Sequence, residues 1–421
     1  MPLSRHFYCL EDVQAALSYS CTKNRYPETL FWCQELIQSG CASEAISVVF
    51  ESWIWQVGPF RLRWLLESWK DLGSDEIQDQ SILLAAYRLS SLHTSNRDNS
   101  LFRILLQHST EENPPDRVTR KSPSSFPSED LKECYFIRSL FQGKARCAWW
   151  MASQLSMERR WELLSWYCSH VITTFQSEYH QCLIIMQQYE KLLGYQTDAY
   201  DMAISCLSII MFCLSPKQQE ESFRPLLTSI DSSSQDRVSS WQANLGRKVY
   251  RLYSIPPSSL YGTTQRGCMK RSQHNRIQLH HVEKYMVGCP FWDEALQEYA
   301  SVEESGTIVW NSEDEKETFY LRYFPDDIPD EWTKEEKDQS HGEGVLGIDE
   351  TCTLFGYASR FLSKIGRLCW GSFDSYIHLL KQIPYDQPFP QCMMDTLIKG
   401  GDINLVLLQP VHKMKRIVSS S

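Results

Sequence analysis

A chain of 421 residues with an apolar share of 42% and a charged share of 22% is ordinary globular material, long enough for two or three domains that each bury a core. Its net charge of -10 excludes a protein that grips phosphate over its whole surface, so any nucleic-acid contact has to be a local patch. The 15 cysteines are odd in number and scattered, mostly on apolar helix faces (Cys33, Cys147, Cys168, Cys206, Cys213), which reads as buried thiols in a reducing compartment and not as a disulfide framework.

In chain order, residues 11–92 read as a first helical array. Residues 11–22 form one helix; Pro27 stands at an N1-like position for a second that carries Leu30, Phe31, Cys33, Leu36 and Ile37, and Gly40 stops it. Ser43 opens a third with Ala45, Ile46, Val49, Phe50, Trp53 and Ile54, halted at Gly58-Pro59, and residues 61–72 and 76–92 supply two more. Helices joined by turns of a few residues lie antiparallel, as in a bundle or an α-solenoid. The hairpin at 28–56 loosely echoes the one at 132–155, but helical hairpins of similar length look alike without common origin.

The polar, proline-rich run at 108–127 has no periodicity and reads as a linker. Residues 128–217 then hold four amphipathic helices with no proline before Pro216. Ser128, Glu129 and Asp130 mark the first start, Gly143 and Gly194 are stops, and Asp198 can cap the fourth helix. The apolar run from Cys206 to Leu214 is far shorter than the roughly 20 residues of a membrane-spanning helix. Nothing at the Met1 end reads as a signal peptide, so a soluble, intracellular protein is expected.

Past weak segments at 232–235 and 256–259 comes a basic run in which Arg266, Lys270, Arg271, Arg276 and Lys284 would hold a phosphate backbone if they share one surface; a solvated loop and helix start accounts for the same residues. Cys268, His274, His280 and Cys289 lack the short paired spacing of a zinc site, and neither metal nor cofactor is expected. From 291 to 350 the chain is acidic: a short helix at 291–299, a charged turn at 311–319, and Pro-flanked turns in which Asp326 and Asp327 read as solvated or capping. An acid or histidine buried beside a pocket in 320–341 would be needed for an active site there. No P-loop, dinucleotide fingerprint, HExxH or GxSxG motif occurs, and Gly246-Arg247-Lys248 lacks the upstream glycine and hydroxyl of a phosphate cradle. The chemistry sought is therefore binding, with Trp53, Trp55, Trp149 and Trp150 as candidate partner anchors, since aromatic residues dominate interface energies.

The stretch SEDLKECYFIRSLFQGKARCAWWMASQL, with its acidic helix start, the Ile137-Arg138-Ser139 step and the Trp149-Trp150 pair, followed by HQCLIIMQQYEKLLGYQTDAYDMAISCLSIIMFCLSPK, resembles the C-terminal helical region of AAA+ replication-associated ATPases of the MgsA/RarA/WHIP clade, relatives of clamp loaders. The likeness covers 128–217, about a fifth of the chain, and the ATPase module that precedes this region in that family is missing, so ATP hydrolysis is not implied. It implies a collar-like oligomerisation or docking bundle near replication machinery. The pattern of CPFWDEALQEY, FPDDIPDEW and SHGEG also looks like helical proteins of large double-stranded DNA viruses, which have no settled activity to lend and would place the chain in the host cytoplasm or nucleus.

The expected fold is mainly α: a helical array at 1–107, a linker at 108–127, a clamp-loader-collar-like bundle at 128–231, a connecting segment at 232–264, and an irregular α-rich module at 265–421 with the basic patch and acidic segment. The expected function is a non-enzymatic, oligomerising accessory protein of DNA replication or repair, with protein partners, self-association, weak DNA contact and no membrane contact. The alternative is a helical-repeat structural or assembly scaffold for other proteins with no role on DNA.

Overall fold

The computed structural model describes residues 3–6, 8, 10–22, 24–73, 76–92, 117–123, 126–194, 196, 198–243, 286–304 and 306–323. Among these the chain is mainly α, with fifteen helices, one 3₁₀ turn and a single two-stranded sheet. The described contacts divide it into two compact units that interleave along the sequence. Among the described residues, one holds those within 1–49, 78–92 and 228–323; the other holds those within 50–77 and 117–227. A consecutive array and central bundle were expected, but 50–77 groups with the bundle, because the 3₁₀ turn Gly58–Arg61 and the helix after it pack on helices from 176–222.

The first unit is built from α1 (Leu10–Thr22), α2 (Tyr26–Gln38), α5 (Asp79–Ser90) and α13 (Ser232–Ala243), with α3 (Ala42–Gln56) entering it through residues 42–49. α2 is its centre: α1, α5 and α13 all pack on it, and every residue from Thr29 to Ile37 is buried. Pro27 sits in its first turn, where the missing N–H costs nothing. Its aromatic core joins Tyr8, Phe31, Trp32 and Trp241 edge to face, with ring centroids 4.9 to 6.0 Å apart. Residues 232–235, expected to be a weak segment, are instead the first turn of α13. Asp231 caps it, its carboxylate accepting from Ser234 N and Ser233 Oγ while its second oxygen accepts from Tyr87 Oη at 2.9 Å.

The same unit carries a small module: α14 (Pro290–Gln297), a hairpin of β1 (Ala300–Val302) and β2 (Ile308–Trp310) in antiparallel register Ala300↔Trp310 and Val302↔Ile308, and α15 (Glu313–Tyr323). Trp292, Tyr299, Trp310, Phe319 and Tyr323 form its core. The segment 311–319, expected to be a charged turn, is helical from Glu313 onward: Ser312 accepts from Glu315 N as its cap, and Glu313, Asp314 and Glu315 suit the positive end of the helix dipole.

The second unit holds the last turns of α3, then α4 (Leu62–Leu72), α6 (Leu131–Phe141), α7 (Ala145–Ala152), α8 (Met157–His170), α9 (Gln176–Gln187), the single turn α10 (Glu190–Leu193), α11 (Asp198–Phe212) and α12 (Pro216–Ser222). The four helices expected in 128–217 are thus six. Ser156 breaks the second by capping α8, its Oγ accepting from Arg159 N, and Tyr189 starts a separate turn before Gly194 ends it in the left-handed region. Asp130, not Ser128, caps α6, accepting from Lys132 N and Glu133 N. α11 is the centre here: residues 203–212 are all buried, against α7, α8 and α9. Residues 117–123, read as linker, carry no helix or strand, yet Thr119 and Lys121 hydrogen-bond Gln142, and Phe126 packs its ring on Trp166.

No helix among the described residues is long and apolar enough to cross a membrane. Two glycines with similar backbone conformations separate two costs. At Gly40, φ is +76° and a Cβ would lie 2.7 Å from Pro290 Cβ; at Gly194, φ is +74° and a Cβ would meet nothing within 4 Å. Gly194→Ala should therefore lose about 1 kcal/mol, the left-handed cost alone. Gly40→Ala should lose about 2–3 kcal/mol, because α14 must also move away. Urea unfolding of the two variants checks this, and equal losses would show that the Pro290 contact yields freely.

Candidate functional site

The expected sites fall in three places. Arg266, Lys270, Arg271, Arg276 and Lys284 lie outside the described residues, as do Asp326, Asp327 and the rest of the acidic segment past Tyr323. Trp53 is 0% exposed, stacked between Phe50 and Trp64 with interplanar angles of 8° and 17°, and its Nε1 donates to Arg61 O at 3.2 Å. Trp149 is 1% exposed. Both side chains are spent on the core of this chain, so neither presents a face to a partner, and their reading as anchors is corrected on that ground. Trp55 lies on α3, and its side chain is outside the described set. Trp150 is different: it is half-buried, turned about 100° around α7 from Trp149, and meets the ring of Tyr135 edge to face at 5.9 Å.

The face around Trp150 follows from helix geometry. Leu131 and Tyr135 are four residues apart and so lie on one side of α6, and a helical hairpin brings α7 against α6 through the Gly143 turn. Leu131 is 82% exposed, the most exposed large apolar side chain among the described residues. Exposed charges of both signs surround the hairpin: Glu129, Asp130, Lys132 and Lys144. Beneath, Glu133 is held by a two-pronged pair with Arg159 at 2.5 and 2.7 Å, and this hydrogen bonding keeps its carboxyl below the usual range. The arrangement can bind an apolar surface with charges at its rim; it presents no nucleophile and base in contact.

The most concentrated polar chemistry lies elsewhere and is buried. On α2, Glu35 is 1% exposed. Its Oε1 accepts from Ser4 Oγ at 2.5 Å and from His6 N at 2.9 Å, while Oε2 lies 2.5 Å from His6 Nδ1. His6 is itself 4% exposed. Burial pushes the Glu35 carboxyl up, but the charge of His6 and the hydrogen bonds from His6 and Ser4 outweigh it and hold the group below its ordinary range. Next to it, Ser39 Oγ donates to Glu35 O and accepts from Arg5 N, and Trp292 Nε1 donates to Ser4 O at 2.9 Å. A carboxylate with these bonds inside the protein fastens Ser4 and His6 to the end of α2 and has no face for a substrate. The second unit has a counterpart. Arg61, 6% exposed, donates to Glu221 O and to Glu221 Oε1 at 2.7 Å, while Ser222 Oγ accepts from Leu62 N and donates to Pro59 O.

Sequence reading missed both clusters. Glu35 interrupts an apolar stripe and so looks solvent-facing, and its partners are 29 and 31 residues away. The Arg61 partners are 160 residues away. Among the described residues no group of three or more His, Cys, Asp and Glu side chains is placed to hold a metal ion. No protein-family model matches the chain, and neither a curated protein nor a solved structure is significantly similar to it.

Because Glu35 has a lower pKa folded than unfolded, its contribution to stability is fully present above the unfolded value and is lost as pH falls from about 4.5 downward. Glu35→Gln should cost about 3 kcal/mol at pH 7, where it strands the buried His6. It should also flatten the fall in the urea midpoint below pH 4.5. An unchanged acid slope in the variant would mean that the pair is not what acid disrupts.

Proposed function

We infer that this chain is a non-enzymatic helical scaffold that self-associates through the outer face of the α6–α7 hairpin, with a second copy of itself as the occupant. The observation that carries the reading is the 82% exposure of Leu131 on the same side of α6 as Tyr135, against which Trp150 lies half-buried. Burying a leucine of this kind is worth about 1.5–3 kcal/mol, and aromatic residues in such positions dominate association energies. A two-fold contact sets the same patch against itself, so Glu129 and Asp130 of one copy can meet Lys132 and Lys144 of the other without like charges facing. The likeness of 128–217 to the collar bundle of AAA+ replication-associated ATPases points the same way, since that region serves oligomerisation.

Light scattering after size exclusion should give the native chain a mass above that of one copy, growing with concentration. Leu131→Glu combined with Trp150→Ser should return it to one copy with its helical circular dichroism kept. A native chain that stays single at the highest concentration, or a double variant that still associates, overturns the reading.

The basic run favours a second reading, an accessory role on DNA in replication or repair. It expects duplex DNA binding that weakens steeply with salt and is lost when Arg266, Lys270 and Arg271 are neutralised together; no binding at low salt leaves the scaffold without a role on DNA.

A further inference from the structure

The turn between α2 and α3 meets the head of α14 backbone to backbone. Phe291 N donates to Ser39 O at 3.2 Å, Gly40 leaves no room for a side chain beside Pro290, and Cys41 and Cys289 flank this contact, close enough to interact electrostatically. Both thiols point at one atom: Cys289 Sγ lies 3.4 Å and Cys41 Sγ 3.6 Å from Ser39 O. Two sulfurs that share an acceptor are within two hydrogen-bond lengths of each other. A disulfide spans Cα atoms roughly 4.4–6.8 Å apart, a separation that two cysteines converging on one carbonyl oxygen can reach.

We propose that Cys41 and Cys289 are a dithiol–disulfide pair, closed by a small-molecule disulfide such as oxidised glutathione, which staples the α14 module to the α2–α3 turn. The exchange balances. The thiolate of Cys41 attacks one sulfur of oxidised glutathione, expels one glutathione thiolate and leaves a mixed disulfide. The thiolate of Cys289 then attacks the protein-bound sulfur and expels the second, so that the two protein thiols give up two hydrogens and two electrons to form two molecules of glutathione.

Cys41 goes first because it is 4% exposed and Cys289 is 0% exposed. Burial, then Glu44 and the Cys289 thiol, push Cys41 up to about 12, and burial pushes Cys289 up to about 11. The pair therefore rests as thiols near neutrality, and its closure accelerates as pH rises. Other buried thiols lie near one another, notably Cys21 and Cys33, but they join α1 to α2, helices already packed along their length. Cys41 and Cys289 are 248 residues apart, and closing them ties together segments that the chain connects only through a long excursion.

The test is to expose the folded full-length chain to oxidised glutathione, block remaining thiols with an alkylating agent, and map peptides without reduction. A glutamate-specific protease cuts between Cys33 and Cys41, so their partners are assigned separately. The expected product is a Cys41–Cys289 cross-link that forms faster at higher pH, raises the melting temperature and reverses with dithiothreitol. Cys41→Ser and Cys289→Ala should each remove it without diverting oxidation to Cys21–Cys33. Separate glutathione adducts on Cys41 and Cys289, a Cys21–Cys33 link in its place, or both thiols still free after prolonged exposure would overturn the assignment.

Discussion

A carboxylate buried on a helix that is itself enclosed must find its partners inside the protein, and Glu35 is that carboxylate. α2 has no solvent side between Thr29 and Ile37, so the cost of taking a charge out of water falls on the first unit as a whole. It is met by the segment before α1, where Ser4 and His6 deliver two side chains and a backbone N–H to the two oxygens. The constraint then spreads. Ser4 and His6 have to lie along the end of α2, and Ser4 O becomes the acceptor for Trp292 Nε1, which fixes α14 in the same unit. One buried charge thus ties two separated parts of the sequence to one helix.

Each unit follows the same plan of a central helix buried on all sides. α11 is apolar almost throughout and meets its neighbours through Leu207, Ile210 and Phe212. The polar residues of its buried stretch 203–212 are Ser205 and Ser208, and Ser208 returns its hydroxyl to Ile204 O one turn back. α2 carries larger polar groups and needs outside partners: Glu35 takes Ser4 and His6, and Gln34 takes Gln242 of α13. The second unit puts its buried charge on the periphery instead, where Arg61 spans from the 3₁₀ turn to Glu221 at the end of α12. In both units a charged clasp holds a non-helical turn onto a helix end, where backbone groups left over by the helix supply additional bonds.

The abundance of aromatic residues has the same cause. Trp53 with Phe50 and Trp64, and Trp292 with Tyr299, Phe319 and Tyr323, fill the gaps that short helices leave between them. Trp149 and Trp150 show how little separates core from surface. They are adjacent, so about 100° of helix rotation turns one inward and leaves the other beside Tyr135 at the edge.

The helices themselves were legible because spacing and punctuation are local. Apolar recurrence at three and four residues, Pro27 in a first turn, and Gly40, Gly143 and Gly194 at ends all act within a few residues of where they stand, and the mainly α class follows from them. The start of α15 carries the same local signal, Ser312 followed by three acids, but its charge density is also that of a solvated turn. What tertiary structure alone decided is which surfaces meet. Periodicity reports that one side of a helix is apolar and not what covers it, so the grouping of 50–77 with 117–227 was invisible. So were the inward turn of Trp53 and the burial of Glu35. Contacts between residues 29 to 250 positions apart depend on how the chain returns, and nothing in a local window encodes that return.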